Sequence, residues 1–511
     1  MFKFLKQCQK FRLENLGIQQ LVENYSTTIS SNPITRKSSC DYHHTQTYGQ
    51  PTPQTHPHLI KPGELVPGIK LEEFKTRRTK LADYIFKNYT SKDLNSHIII
   101  IPSASKVYMS DKIPYVFRQN TDFLYFTGCQ EPDSVLVMTI DNEKVTCTLF
   151  VQKKDPKSEL WDGPRTGTEA AAEMFGIDQS LPVSDFESYL NSLITKYKSN
   201  ASVWYDNNDI INNEFHKKIS QLGITSGTAR CRLSSTSIKN VFHQIRMIKS
   251  SAEIELMQKS CDIASEAIVK TIKISKPGMT EHQLFATVDY ESRMSGAEFL
   301  AYPPVVAGGK NANIIHYITN NQVLYDGDMV LMDAGCEYRG YSSDITRTWP
   351  VNGTFNPQQK ILYEVVLEIQ KSLINKLKEL PTLDELFYDM CDLLGKRLQE
   401  IGLIPKNISD DKLVSAAFTY CPHHVSHYLG MDVHDTGKIS RSVKTQPGMI
   451  VTVEPGIYVS PKNELAPPEF HNLGIRIEDD VLIKDGEPLV LTRNCPKEIV
   501  DIEALSKFNQ S

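Results

Sequence analysis

The chain has 511 residues, with 56 Lys and Arg against 61 Asp and Glu, a formal charge of -5. Near-balanced charge argues against a general nucleic-acid binder, which needs a basic surface, though it leaves room for a local basic groove. Apolar residues at 40% and charged residues at 23% are those of an ordinary globular protein, and no run of about 18 apolar residues is present to span a membrane.

At roughly 150 residues per domain, the length suggests about three units. The first forty residues carry Lys3, Lys6, Lys10, Arg12, Arg36 and Lys37 against only Glu14 and Glu23. Phe2, Leu5, Leu13 and Leu16 fall on one side of a helical wheel, and Ser and Thr cluster from Ser26 to Ser39. This pattern predicts a mitochondrial transit peptide over 1–48, against the competing reading of a disordered basic tail. Residues 41–69 are rich in Pro and His, and prolines at this density block helix and sheet. We expect a solvated, extended lead-in there, bounded at 49–69. No carboxylate or Cys is placed to complete a metal site with its histidines.

From about 70 to 242 the pattern alternates. A helix fits Leu71 to Asn88, and strands fit Ile98–Ile101, Val135–Ile140 and Thr146–Val151. Helices fit Gly167–Phe175 and Phe186–Lys198. This is a mixed α/β domain without an obvious catalytic cluster. The pattern changes near Lys239–Ser251. Ser250-x-x-Glu253, Thr280-x-x-Gln283 and Thr382-x-x-Glu385 are capping boxes that open helices, and Asn356-Pro357 starts another with Pro in its first turn. The first of these helices has an apolar face of Ile254, Met257, Cys261, Ala264, Ile268 and Ile272. A second domain is placed at 243–505, with helices packed on a mostly antiparallel sheet and a tail at 506–511. It holds a faint repeat: Gly327 and Gly448 each precede a buried strand that ends on a carboxylate, Asp333 or Glu454. Two halves related in this way would bring their acids to one centre.

The chemistry lies in acids set in apolar strands. Asp333 ends Met329–Met332, Asp344 lies across a hairpin containing Gly335 and Gly340, and Glu454 ends Ile450–Val453. In Gly474–Glu478, alternation puts Arg476 and Glu478 on one face. Ionised carboxylates are rarely buried unless paired or metal-bound. One such acid is a structural ion pair by default; four in one domain point to a shared cation. His423, His424, His427 and His434 crowd into twelve positions beside them, a density that marks metal binding or proton transfer. Carboxylates plus imidazole make a hard site that suits Mn²⁺, with Zn²⁺ and Co²⁺ still open. Bridging acids can hold two cations about 3.5–4 Å apart and so build a hydrolase. The ten cysteines contain no Cys-x-x-Cys pair, which argues against a disulfide framework and for a reducing compartment.

Asp333, Asp344, His427, Glu454 and Glu478 match, in order, the five metal ligands of the pita-bread metallopeptidases (family M24B), which include methionine aminopeptidase, prolidase, creatinase and aminopeptidase P. Asp333–Tyr338, Ser343–Thr348, Ser426–Gly430, Asp432–Asp435 and Val453–Tyr458 look like aminopeptidase P. Gly49–Gly63, Phe117–Phe123, Leu160–Arg165 and Cys495–Glu498 resemble its mitochondrial branch. The resemblance covers about 49–505.

It implies an α/β creatinase-like N-terminal domain followed by an α+β pita-bread catalytic domain. It also implies two divalent ions, with Mn²⁺ favoured. Asp333 would bind one ion through both oxygens, Asp344 and Glu478 would bridge, and His427 and Glu454 would bind the second. Glu454 would also serve as proton acceptor. His316 and Tyr302 would contact substrate. His423 and His434 would stabilise the tetrahedral intermediate and position the substrate. Arg476 would orient the ligands, with Tyr458 lining the same region; His424 is read as structural. The implied activity is release of the N-terminal residue from peptides or proteins with proline second, in a homodimer of the mitochondrial matrix. An internal start site could give a cytosolic form. The rivals are a prolidase confined to Xaa-Pro dipeptides and a non-catalytic binding module, and retention of all five ligands argues against the second.

Overall fold

Residues 47–507, Arg230 excepted, are described by the computed structural model, in which the aliphatic run Ile98–Ile101 lies at the centre of a six-stranded sheet. The strands are Ser96–Pro102 (β1), Val135–Asp141 (β2), Lys144–Val151 (β3), Gln179–Pro182 (β4), Ala201–Trp204 (β5) and Arg232–Leu233 (β6), in the order β6-β5-β1-β2-β3-β4. β1 pairs antiparallel with β2 and parallel with β5. Both faces are covered, which is why β1 reads as an unbroken aliphatic run and does not alternate. Ile98 and Ile100 pack with Phe186, Phe215 and Ile219. Ile99 and Ile101 face Phe74, Leu81 and Ile85 of the helix Leu71–Tyr89 (α1).

The segment 49–69 is not the solvated linker expected from its prolines. Gln50, Thr52 and Ile60 are buried, and Leu65, Val66 and Ile69 join the core beneath α1. Glu64–Val66 and Ile69–Lys70 pair as a short ladder, and Gln50 Nε2 donates to the Gly128 carbonyl at 3.1 Å. Proline forbids helix and central strand but not packing; here scattered apolar residues supply buried surface worth about 25 cal/mol per Å². The presequence expected over 1–48 lies outside the described residues except for its last two, and residues 508–511 of the expected tail also lie outside.

The C-terminal region places helices outside small antiparallel sheets. Its helices include Ile238–Arg246 (α2), Ser251–Ile274 (α3), Glu281–Met294 (α4), Pro357–Lys376 (α5) and Leu383–Glu400 (α6), with shorter ones at Asp410–Phe418 and Ile499–Lys507. The three expected capping boxes form, and Asn356 with Gln359 makes a fourth. α3 buries Met257, Cys261, Ala264, Ile268 and Ile272 as expected, but Ile254 is only half-buried, and Ser260, Ser265 and Thr271 are buried too. α3 runs between two cores: Leu256, Met257 and Cys261 enter the N-terminal one, Ile263 and Ile268 the C-terminal one.

Val305–Gly308 (β7), Met329–Asp333 (β8) and Thr346–Pro350 (β9) form one antiparallel sheet in that order. Ile450–Val453 (β10), Gly456–Tyr458 (β11), Gly474–Arg476 (β12), Asp479–Leu482 (β13) and Leu489–Val490 (β14) form a β10-β13-β14 sheet and a β11-β12 ladder. The repeat is structural. Gly327 and Gly448 have φ of 89° and 91°, the left-handed region, and lead into β8 and β10. The pair α3–α4 precedes β7, β8 and β9. The pair α5–α6 precedes Tyr428, which bridges Val451 as β7 pairs with β8.

Ion pairs stitch the N- and C-terminal regions of this compact unit together. Arg246 reaches Asp122 Oδ1 at 2.6 Å, Asp432 Oδ2 at 3.0 Å and Asp435. Lys249 meets Asp435 at 3.1 Å, and Arg118 bonds Glu337 at 2.6 Å and Asp432 at 3.1 Å.

Candidate metal centre

The two halves deliver their acids to paired strand ends. Asp333, the last residue of β8, is opposite Thr346 of β9, and Asp344 lies two residues before that strand. Val453 pairs with Asp479, so Glu454, just after β10, and Glu478, just before β13, emerge together. Atoms of Asp344, His427 and Glu478 lie within 4.8 Å of one another. His427 Nε2 is 3.4 Å from Asp344 Oδ2 and 3.6 Å from Glu454 Oε1. Asp333 is tied in by the Tyr302 hydroxyl, which donates to Asp333 Oδ1 at 2.6 Å and to Asp344 Oδ1 at 2.5 Å. All five sequence-predicted ligands therefore gather in one place.

The donor set fits a hard cation. His427 Nδ1 donates to the Tyr428 carbonyl at 3.1 Å, which fixes the ring and directs Nε2 at the carboxylates, where a divalent ion would take the place of its proton. Four acids face a single guanidinium, Arg476, whose Nη2 donates to Asp333 Oδ2 at 2.6 Å. Burial lifts Glu454 to about 7, against the pull of His427 and Arg476. Burial and the charges of Asp344, Glu454 and Asp333 drive Glu478 well above the carboxylate range. Burial also raises Asp333, with Arg476 opposing it. For Asp344, burial is outweighed by the hydrogen bond and charge of His427, which hold it low. Burial would lower His427, but Asp344 and Glu454 raise it to about 9. Burial and mutual repulsion favour the protonated forms of Asp333, Glu454 and Glu478, while Asp344 is kept ionised by His427, and a divalent ion is the group that relieves this deficit of positive charge.

Further residues orient this shell. Thr346 Oγ1 donates to Glu478 Oε2 at 2.6 Å and accepts from Arg476 Nε at 3.1 Å. The His427 amide donates to Thr452 Oγ1 at 3.1 Å. The Asp344 amide donates to Asp480 Oδ2 at 3.0 Å, and the Cys261 thiol donates to the same oxygen at 3.2 Å. Sequence reasoning missed Thr346, Thr452 and Asp480, and placed Cys261 only on an apolar helix face. Threonine is an ordinary strand residue, and only the acidic run Glu478-Asp479-Asp480 carried a hint.

The cluster lines a cavity of about 640 Å³ whose walls include His316, His423, His434 and Arg441. His316 and His434 are exposed in it, and the ring of His434 is 4.5 Å from that of His427. Arg476 Nη1 donates to the Tyr458 hydroxyl at 2.8 Å, which is 3.0 Å from His423 Nε2. His423 Nδ1 lies 2.9 Å from the His424 carbonyl, so both His423 nitrogens are engaged within the protein. Burial and Arg476 hold His423 at about 4, hence neutral. Tyr302 is likewise committed to the acids, while His424 packs its ring 4.7 Å from Phe387.

A model of metallopeptidase family M24 matches residues 255–485, and one of the aminopeptidase P N-terminal domain matches 74–204. Xaa-Pro aminopeptidase 3 of Mus musculus is 43% identical over 89% of this chain and 90% of its own length. Intermediate cleaving peptidase 55, mitochondrial, of Arabidopsis thaliana is 38% identical over 96% of this chain and 93% of its own. The solved structure of Zn-substituted E. coli aminopeptidase P in complex with product superposes with a TM-score of 0.77 at 32% identity, covering 86% of this chain and 99% of that one.

Proposed function

The chain belongs to metallopeptidase family M24, with the creatinase-like N-terminal and pita-bread catalytic folds of aminopeptidase P, and on that premise we propose how its acid cluster works. It is a metal-dependent aminopeptidase that releases the N-terminal residue from chains with proline second. The Xaa-Pro bond is a tertiary amide without an N–H, which sets this specificity apart from general aminopeptidases.

The carrying observation is the convergence of Asp344, His427 and Glu478 in a site with surplus buried acid. Asp333, Asp344, His427, Glu454 and Glu478 would hold two divalent ions, with Mn²⁺ the ion best suited to the oxygen-rich set. Bound there, such a pair supplies an activated water and a Lewis acid for the scissile carbonyl. Glu454 takes a proton at its carboxylate and returns it to the leaving nitrogen. Exposed His316 and His434 offer N–H groups to the substrate and the developing oxyanion. Arg476 fixes Asp333, and through Tyr458 it fixes His423. His423 joins the oxyanion contacts on releasing the His424 carbonyl.

The proposal extends to a domain boundary at 242/243, a homodimer, and a mitochondrial matrix enzyme acting on protein N-termini. The basic, Ser-rich leader and the mitochondrial relative support that location. Incubating the protein with Arg-Pro-Pro, with Mn²⁺ and after chelation, tests the activity: metal-dependent release of Arg is expected, and an intact peptide sinks the reading. Cleavage of this tripeptide also separates the enzyme from a prolidase, which is confined to dipeptides. A reporter fused behind residues 1–48 that stays cytosolic overturns the location.

A further inference from the structure

The catalytic cavity continues beyond His434. A second hollow of about 740 Å³ shares His434 and Gly437 with it. One wall is the 432–438 segment; the other is formed by residues 118–122, the 209–211 loop and α2. The mechanism above makes no use of this space, yet any chain leaving the acid cluster past His434 enters it.

Its wall chemistry is specific. Asp122, Asp432 and Asp209 are each matched by a cation, namely Arg246, Arg118 and Lys239. Lys438 is exposed, and among the described residues it takes part in no ion pair. Its amide donates to His243 Nδ1 at 3.0 Å, which places the neutral imidazole proton on Nε2. Ile210 is 43% exposed in the same hollow. A spare ammonium, an imidazole N–H and an apolar contact along a groove match an extended polypeptide, which advances about 3.3 Å per residue.

We propose that this hollow is an extended subsite for the substrate chain downstream of the proline, selecting a carboxylate opposite Lys438. The inference rests on the aminopeptidase reading. The carboxylate can be an acidic side chain or the C-terminus of a short peptide.

The test compares Arg-Pro-Pro with four hexapeptides: Arg-Pro-Ala-Ala-Glu-Ala amide, its Lys counterpart, and Arg-Pro-Ala-Ala-Ala-Ala both with a free C-terminus and as its amide. The wild-type protein should favour the Glu peptide over the Lys peptide by about five- to tenfold in kcat/KM, carried mainly by KM. Lys438→Glu should invert that preference and leave the tripeptide within about twofold. Ile210→Asp should weaken all four hexapeptides. A gain for the free-carboxylate peptide over its amide assigns the selected group to the C-terminus; a gain only for Glu assigns it to the side chain. Equal rates for the Glu and Lys peptides, or a preference that survives Lys438→Glu and responds instead to Arg441→Glu, overturn the subsite while tripeptide cleavage keeps the activity standing. Failure of the wild-type protein on the tripeptide overturns both.

Discussion

Two buried clusters in this chain are built from the same residue types to opposite ends. In the seam, Asp122, Asp432, Asp435 and Glu337 meet Arg118, Arg246 and Lys249. At the metal centre, Asp333, Asp344, Glu454 and Glu478 meet only Arg476 among fixed cations. In the seam the cations bring Asp432 below its ordinary value despite burial, with Glu337 raised by burial against Arg118; at the metal centre burial drives Asp333, Glu454 and Glu478 up, and only Asp344, bonded to His427, is held low. Acidic density alone does not mark a metal site; unmatched acidic density does.

The comparison is broken most directly by removing one acid from each cluster. Asp344→Ala should cut kcat/KM by roughly 10³-fold, the loss of several kcal/mol of metal-supplied stabilisation. Glu478→Gln, at the acid that burial and its acidic neighbours push well above the carboxylate range, should raise the melting temperature of chelated protein, because it relieves repulsion. A drop in that temperature would count against the deficit argument. Asp435→Asn should do the reverse. Stranding Arg246 and Lys249 should cost about 3–5 kcal/mol in urea unfolding, while folded protein keeps near-normal turnover.

pH separates the clusters next. Glu454 and His427 hold protons more tightly folded than unfolded, so chelated protein should lose stability as pH rises through about 7 and then about 9. Asp432 is depressed in the fold, so the seam's contribution is present above the ordinary carboxylate range and lost as pH falls through it. Thermal melts from pH 5 to 9 with and without Mn²⁺ should show the alkaline loss only in chelated protein. The smallest effect is expected from Thr346→Val, which removes the hydroxyl between Glu478 and Arg476. Metal affinity should weaken about tenfold by titration, with little change in folding.

Much of this architecture is legible in the sequence where local chemistry decides it. The Ile98–Ile101 run, three of the capping boxes and the paired glycines 327 and 448 announce their elements, because caps and left-handed turns are properties of a few neighbouring residues. The ligand set is visible because carboxylates interrupt apolar strands. The seam was invisible: Asp122, Arg246 and Asp435 are far apart in the chain, and only tertiary packing joins them. Thr346 and Asp480 escaped for the same reason, since each acts on a partner from another strand. The burial of segment 49–69 was hidden by its prolines, which speak of hydrogen bonding and say nothing of packing.

The repeat that begins at Gly327 and Gly448 also fixes when the protein becomes an enzyme. Each half carries two of the four acids, Asp333 and Asp344 in one and Glu454 and Glu478 in the other. A half-folded chain therefore has no complete acid cluster. An ion bound there would favour only the docked state, by RT ln(1 + [L]/Kd), and so would act as a clasp between the halves.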